Sequence, residues 1–293
     1  MAITGTGTQA DPYIVHNYTE LKSACRGNGV YVNLASDIDC NDYGENFEWE
    51  AIQGSGNYQA YFLDLQGHTI KNFKVKENDY AFKLTGTSAY IKNGKILNCY
   101  LKDTLGFCCR TSNNGTLENL SISISIGDGL TDGNNRYVFN EYCFVKNCAI
   151  YVEGSIPSTC TNSAIFKPTS ATNPYENTDI LLNINNSYGM VSHANNSYDK
   201  VYKKCRIRGT FNVANNYGYN YLFDAGFDNS VIDLLSNFRG DHLSAYVSNS
   251  TGVINSDKLP IPDLSGMTAV TSAEIINGDA LRAKGFEVIN VVG

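Results

Sequence analysis

Charge is scarce in this 293-residue chain: Asp, Glu, Lys and Arg make up 17% of it, the net charge is −7, and no basic run occurs. A partner that tracks phosphates needs clustered Lys and Arg, so nucleic-acid binding is not expected. No apolar run approaches the length of a membrane span, so no membrane partner is expected either. The opening MAITGTGTQADPYIV (1–15) has no charged and apolar leader, which leads to the expectation of synthesis in a cytoplasm without export. Proline (6), methionine (3) and tryptophan (1) are rare as well. The nine cysteines include no CxxC pair; Cys108 and Cys109 are adjacent, and four residues separate Cys143 from Cys148. Those spacings suit neither a zinc site nor easy bridging, so no metal and no cofactor is expected.

Gly, Asn, Ser, Thr and Tyr are what the chain has in quantity. That mixture argues against long amphipathic helices and against disorder, and favours an all-β chain with many tight turns. A heptad recurs: TIKNFKV (69–75), KILNCYL (95–101), TLENLSI (116–122), FVKNCAI (144–150), TDILLNI (178–184), VYKKCRI (201–207) and SVIDLLS (230–236). Its fourth position reads Asn72, Asn98, Asn119, Asn147, Leu181, Lys204 and Asp233, at uneven intervals within the range of solenoid repeats. Positions five and seven are two apart, as on a half-buried strand, while positions two and five are three apart, so the chain must turn between them. Asn accepts the left-handed backbone conformation that such a corner needs. The fifth position is Phe73, Cys99, Leu120, Cys148, Leu182, Cys205 or Leu234, which makes the thiols small, reduced core residues.

Strand, corner, strand and variable loop describe one coil of a single-stranded right-handed parallel β-helix, the handedness following the general bias of parallel crossovers. A β-sandwich with chance likeness between strands is the alternative, although sandwich strands recur at shorter intervals. Residues 1–62 read as an N-terminal cap and lead-in, 63–255 as the β-helix, and 256–293 as linker, capping helix and last strand (286–292). Short helical caps are expected at both ends: one at 17–29, with Asn17 or Thr19 as N-cap, and one opened by a Thr271–Glu274 capping box. Extra residues at 101–115, 123–143 and 151–177 must leave the coil as loops.

The opening then takes on a family likeness. GTGTQADPYIVHNYTELKSA (5–24), VYVNLASDIDCND (30–42), WEAI (49–52) and LDLQGHTIKNFKV (63–75) resemble the lead-in of β-helix proteins found on bacterial surfaces and as head or tail appendages of bacteriophages. The resemblance covers about the first 125 residues and implies architecture far more than activity. It implies a structural or adhesive virion protein, a head fibre, capsid decoration or tail appendage, assembled in the host cytoplasm. It also implies a homotrimer that contacts capsid or tail proteins and binds a host-surface glycan. Relatives of this architecture include polysaccharide depolymerases and bacterial adhesins, and both readings stay open.

No catalytic residue is nominated. Glycoside hydrolysis needs two carboxyl groups about 5–10 Å apart. Asp37 and Asp39 meet that spacing along one strand, yet they lie in a recurring structural stretch. The outward heptad positions Lys71, Leu97, Glu118, Lys146, Ile180, Lys203 and Ile232 show no carboxylate row. Asp128, Asp132, Glu141, Glu153, Glu176 and Asp179 could converge only through loops. GDGLTDGNN (127–135) lacks the closing glutamate of a calcium loop and reads as a solvated turn. The four histidines are scattered. Tyr217, Tyr219 and Tyr221 alternate along one strand and are the candidate ligand-binding residues, as a surface that stacks on sugars or on a subunit. The competing expectation is that they stack coil on coil.

Overall fold

The structure, a computed structural model, describes residues 3–54, 60–76, 80–84, 88–102, 106–109, 115–127, 137–139, 143–158, 160, 163–167, 174–192, 201–214, 221–239, 250–259 and 267–276. It is a parallel β-solenoid with a few short helices. Every pairing between named strands is parallel, and the strands fall into three ladders. The first ladder climbs from Tyr13–Val15 through Val30–Leu34, Tyr61–Asp64 and Cys143–Lys146 to Phe227–Asp228. The second climbs from Ile38–Asp39 through Thr69–Lys74, Ala149–Gly154, Asp179–Ser187 and Arg206–Val213 to Thr268–Val270. Tyr90–Leu101 and Gly115–Ile126 pass through the corner and belong to both. The third, shorter ladder holds Phe82–Lys83, Cys108–Cys109, Tyr137–Phe139, Ala164–Phe166 and Met190–Ser192. Stacking thus begins before residue 63, and among the described residues it continues to the pairing of Val253–Asn255 with Thr268–Val270.

Stacking repeats one side-chain type above another. Ile38, Ile70, Ile96, Ile122, Ile150, Ile180, Ile207, Ile232 and Ile254 form one paired column on the inner side of the second ladder. None is more than 2% exposed. β-Branched side chains have few rotamers to lose and pack well on a pleated surface, which suits a column that must repeat at every coil. Aromatic rings stack beside it: Phe107 on Phe139 at 5.3 Å and Phe139 on Phe166 at 5.2 Å between centroids.

The corner works as its sequence suggests, in a different register. Asn93, Asn119, Asn147, Asn177, Lys204 and Asn229 all hold φ between 47° and 59° at the turn from first to second ladder. The amides of the first four form a chain of hydrogen bonds. Asn93 Nδ2 donates to Asp64, Asn119 Nδ2 to Asn93 Oδ1 (3.1 Å), Asn147 Nδ2 to Asn119 Oδ1 (3.2 Å) and Asn177 Nδ2 to Asn147 Oδ1 (2.9 Å). Asn72 and Asn98 form a separate column inside the second ladder, where Asn98 Nδ2 donates to Asn72 Oδ1 at 2.8 Å and Asn72 Nδ2 to Asp39. The expected single column of Asn72, Asn98, Asn119 and Asn147 is therefore two columns. The heptads at 178–184 and 230–236 are displaced from the corners at Asn177 and Asn229, so Ile180 and Ile232, expected to face outward, are buried.

Eight thiols, those of Cys25, Cys40, Cys99, Cys108, Cys143, Cys148, Cys160 and Cys205, are free and buried, and two of them have a more specific task than filling space. After the corners at Asn147, Asn177, Lys204 and Asn229 the next residue bonds the carbonyl two residues back: Cys148 Sγ to Lys146 O (3.2 Å), Thr178 Oγ1 to Glu176 O (2.9 Å), Cys205 Sγ to Lys203 O (3.5 Å) and Ser230 Oγ to Asp228 O (3.2 Å). At these four corners the position holds a small side chain with one donor, which Cys, Thr and Ser all supply, while Gly94 and Leu120 follow the corners at Asn93 and Asn119. Burial pushes the Cys148 and Cys205 thiols up to about 12, so both keep the proton they donate. Cys99 belongs to another column, between Phe73 and Ile124.

Helices cap the described ends. Tyr18–Ala24 starts at Asn17, whose side chain accepts from Glu20 N, and Tyr18, Leu21 and Ala24 are buried. Ser272–Ile276 follows the expected capping box, in which Thr271 N donates to Glu274 Oε2 at 2.8 Å and Glu274 N to Thr271 Oγ1 at 3.3 Å. The strand expected at 286–292 lies outside the described residues.

Candidate functional site

Two outward surfaces differ in how far they are already satisfied. On the first ladder the outward column reads Asp64, Lys92, Glu118, Lys146, Glu176, Lys203 and Asp228, each paired with the next. Opposite charges alternate at every step, roughly 4.8 Å apart along the stack. Below them Tyr31 stacks on Phe62 at 4.4 Å, Phe62 sits 5.2 Å from Tyr90, and Lys92 Nζ lies 4.6 Å from the Tyr90 ring. This face leaves little for a ligand.

The second ladder is different. Its outward columns run Lys95, Ser121, Ala149, Asp179 and, beside it, Ser123, Tyr151, Leu181, Arg208. Ser121, Ser123 and Ala149 are small and sit on neighbouring coils, while Leu97, Leu181 and Arg208 are long. The sheet surface therefore sinks between them, leaving a groove of about 320 Å³ with Lys95 and Leu97 at one end and Arg208 at the other. That volume is at the lower end of small-ligand sites.

Its polar groups are held in place. Arg208 donates from Nε to both Asp179 oxygens (3.0 and 3.1 Å) and from Nη2 to Oδ2 (2.8 Å), a bidentate pair that pushes the guanidinium further up. Tyr151 OH donates to Glu153 Oε2 at 2.6 Å, and Ser125 Oγ to Glu153 Oε1 at 2.7 Å. The Tyr151 and Ser125 hydroxyls hold the Glu153 carboxyl below its usual range, and Glu153 in turn raises Tyr151. A fixed phenol, two serine hydroxyls, an Arg–Asp pair and an apolar floor can contact both the hydroxyls and the apolar faces of a sugar.

Acid–base chemistry is not assembled here. Asp179 pairs across from Ala149, four residues from Glu153, roughly 13 Å along the strand and outside the glycosidase window. Burial raises Asp233, but hydrogen bonds from Lys258 (2.8 Å) and Asn255 (2.8 Å) outweigh it and hold the carboxyl below its usual range. Asp39 is held low by Asn72 Nδ2, Asn41 N and Lys71, and Asp37 accepts from Thr69 N, so the pair closest in sequence secures the lead-in coils. Neither Glu153 nor Asp39 is set up as a general acid. Among the described residues no group of His, Cys, Asp and Glu could hold a metal ion.

Of the nominated tyrosines, Tyr217 and Tyr219 lie outside the described residues. Tyr221 is half-buried against Tyr137, Ala164 and Met190 on the third ladder. The stretch 127–135, read as a solvated turn, also lies outside them apart from Gly127, as do two of the four histidines, His193 and His242. The heptads at 116–122 and 144–150 already set Ser121 over Ala149, but those at 95–101 and 178–184 are out of register with them. Sequence reasoning therefore missed that Lys95 and Asp179 continue the same outward column.

No protein-family model matches this sequence, and neither does any curated protein. Among solved structures the chain is similar to a Bacteroides ovatus crystal structure described provisionally as an immunoglobulin A1 protease. The two share 15% identity over 99% of this chain and 95% of that one, with a TM-score of 0.49. No activity is carried over from a likeness of that size.

Proposed function

We propose that this chain is a non-enzymatic, glycan-binding scaffold of adhesive type. The groove over Ser121, Ser123 and Ala149 carries the reading: it offers sugar-compatible contacts, and its carboxylates are spaced and bonded unlike a hydrolase pair. The stacked coils supply rigidity, since each buries its side chains against its neighbours and the corner amides lock register. The opening motifs support placement on a bacteriophage particle, as head fibre, capsid decoration or tail appendage, with three copies around an axis.

Ser123→Trp fills the groove from an outward position, and Tyr151→Ala removes its aromatic wall. On an array of bacterial surface glycans each variant should lose about tenfold or more in affinity, equivalent to ~1.4 kcal/mol, with unchanged circular dichroism. A reducing-end assay on the bound glycan should show no turnover. Sustained cleavage would overturn the non-enzymatic reading in favour of a depolymerase. Antibody labelling of phage particles tests the placement, and labelling confined to bacterial surfaces would replace the virion with an adhesin.

A further inference from the structure

Cys108 and Cys143 stand apart from the corner thiols. Cys108 lies in the third ladder, paired with Phe82 of one neighbouring coil and Phe139 of the other. Cys143 opens the first-ladder strand of the next coil, over Gly115. The chain between them makes one full circuit, yet their Sγ atoms are 3.9 Å apart and both residues are buried, at 1% and 5% exposure. Two sulfurs in van der Waals contact can be brought toward the ~2.05 Å of a disulfide by side-chain rotation.

We infer that Cys108 and Cys143 are an oxidative cross-linking site that staples two successive coils when a hydroperoxide reaches them. One thiol loses its proton, and its sulfur attacks a peroxide oxygen. The O–O bond breaks, and the hydroxide that leaves takes up a proton, giving water and a sulfenic acid. The second sulfur, deprotonated in turn, attacks the sulfenic sulfur. The S–O bond breaks, a second hydroxide takes up a proton, and the S–S bond is complete. The two thiols are oxidised by two electrons, and one hydrogen peroxide is reduced to two waters. Burial makes the reaction slow and confines it to small oxidants or to local opening of the coil. Once formed, the link closes a loop of one coil and restrains the unfolded chain more than the folded one.

The test uses the full-length protein with hydrogen peroxide as the probe, followed by denaturing alkylation and a tryptic map without reductant. Cys108 falls in the peptide DTLGFCCR (103–110) and Cys143 in YVFNEYCFVK (137–146). The expected product is these two peptides joined, about 2 Da lighter than their sum, with fragmentation placing the link on Cys108 rather than Cys109. The oxidised protein should unfold at a higher temperature, and dithiothreitol should reverse both changes. Cys143→Ala should remove the joined peptide while the corner thiols stay alkylatable. Persistence of both thiols as free, oxygen addition without a link, or joining of either peptide to a different cysteine would overturn the inference. The wild-type map decides it even if the variant fails to fold.

Discussion

The outward row of the first ladder and the outward face of the second lie on the same coils and share the same backbone, yet they are finished in opposite ways. Along the first, Asp64 to Asp228 alternates sign at every step, so each charge is in register with opposite charges on the coils beside it. Along the second, small residues sit beside long ones, with Asp179 bound to Arg208 and Tyr151 to Glu153, which leaves a recess between them. A solenoid repeats its inner side chains to stay folded. Where the outer ones repeat too, they specify register, and where they do not, they make a surface with something left to bind.

The most severe way to break this comparison is to exchange inside for outside on one strand. Ile180 belongs to the fully buried column and its neighbour Leu181 to the groove wall. Ile180→Ala should cost about 2–5 kcal/mol in urea unfolding, the usual range for a core truncation. Leu181→Ala should cost no more than about 0.5–1 kcal/mol, as for an outward residue, while weakening glycan binding. Equal stability losses would mean that the second ladder's outer face is core, and the groove would lose its standing as a binding surface.

The corner gives the next largest effect. Asn147 holds φ 53°, accepts from Asn177 and donates to Asn119. Asn147→Ala should cost about 1–3 kcal/mol, combining the left-handed penalty with lost hydrogen bonds. Asn147→Gly keeps the backbone free to turn and should cost less, so the gap between the two variants measures the backbone share. If both cost the same, the amide chain alone carries the corner.

That corner also shows how far the sequence could be read. The fold class, the left-handed asparagines, the buried thiols and the Thr271 capping box follow from local chemistry, because each states its need within a few residues. Register does not. KILNCYL contains a left-handed Asn98, so it imitates the corner, while the corner of that coil is Asn93 in IKNG. Uneven loops hide the displacement, and Asn177 and Asn229 fall outside the chosen heptads although they do the same work. The groove was out of reach for the same reason. The heptads set Ser121 opposite Ala149, but the recess is bounded only once Lys95 and Asp179 join that column, and those pairings are properties of the stack.

The smallest effect sharpens the claim that charge specifies register on the first ladder. Lys146 lies between Glu118 and Glu176. Lys146→Glu replaces two attractive neighbours with two repulsive ones. Directly opposed charges are worth roughly 0.2–1 kcal/mol each, so the expected loss is about 1–2 kcal/mol. Lys146→Gln, which removes attraction without adding repulsion, should lose roughly half as much. These side chains are partly exposed, so the penalty is electrostatic and accessible to ions. Raising salt to about 1 M shortens the screening length to ~3 Å, below the coil spacing, and should bring Lys146→Glu close to Lys146→Gln. A penalty that ignores salt would point to lost packing of the lysine stem instead. The alternation would then be a consequence of stacking and not what sets it.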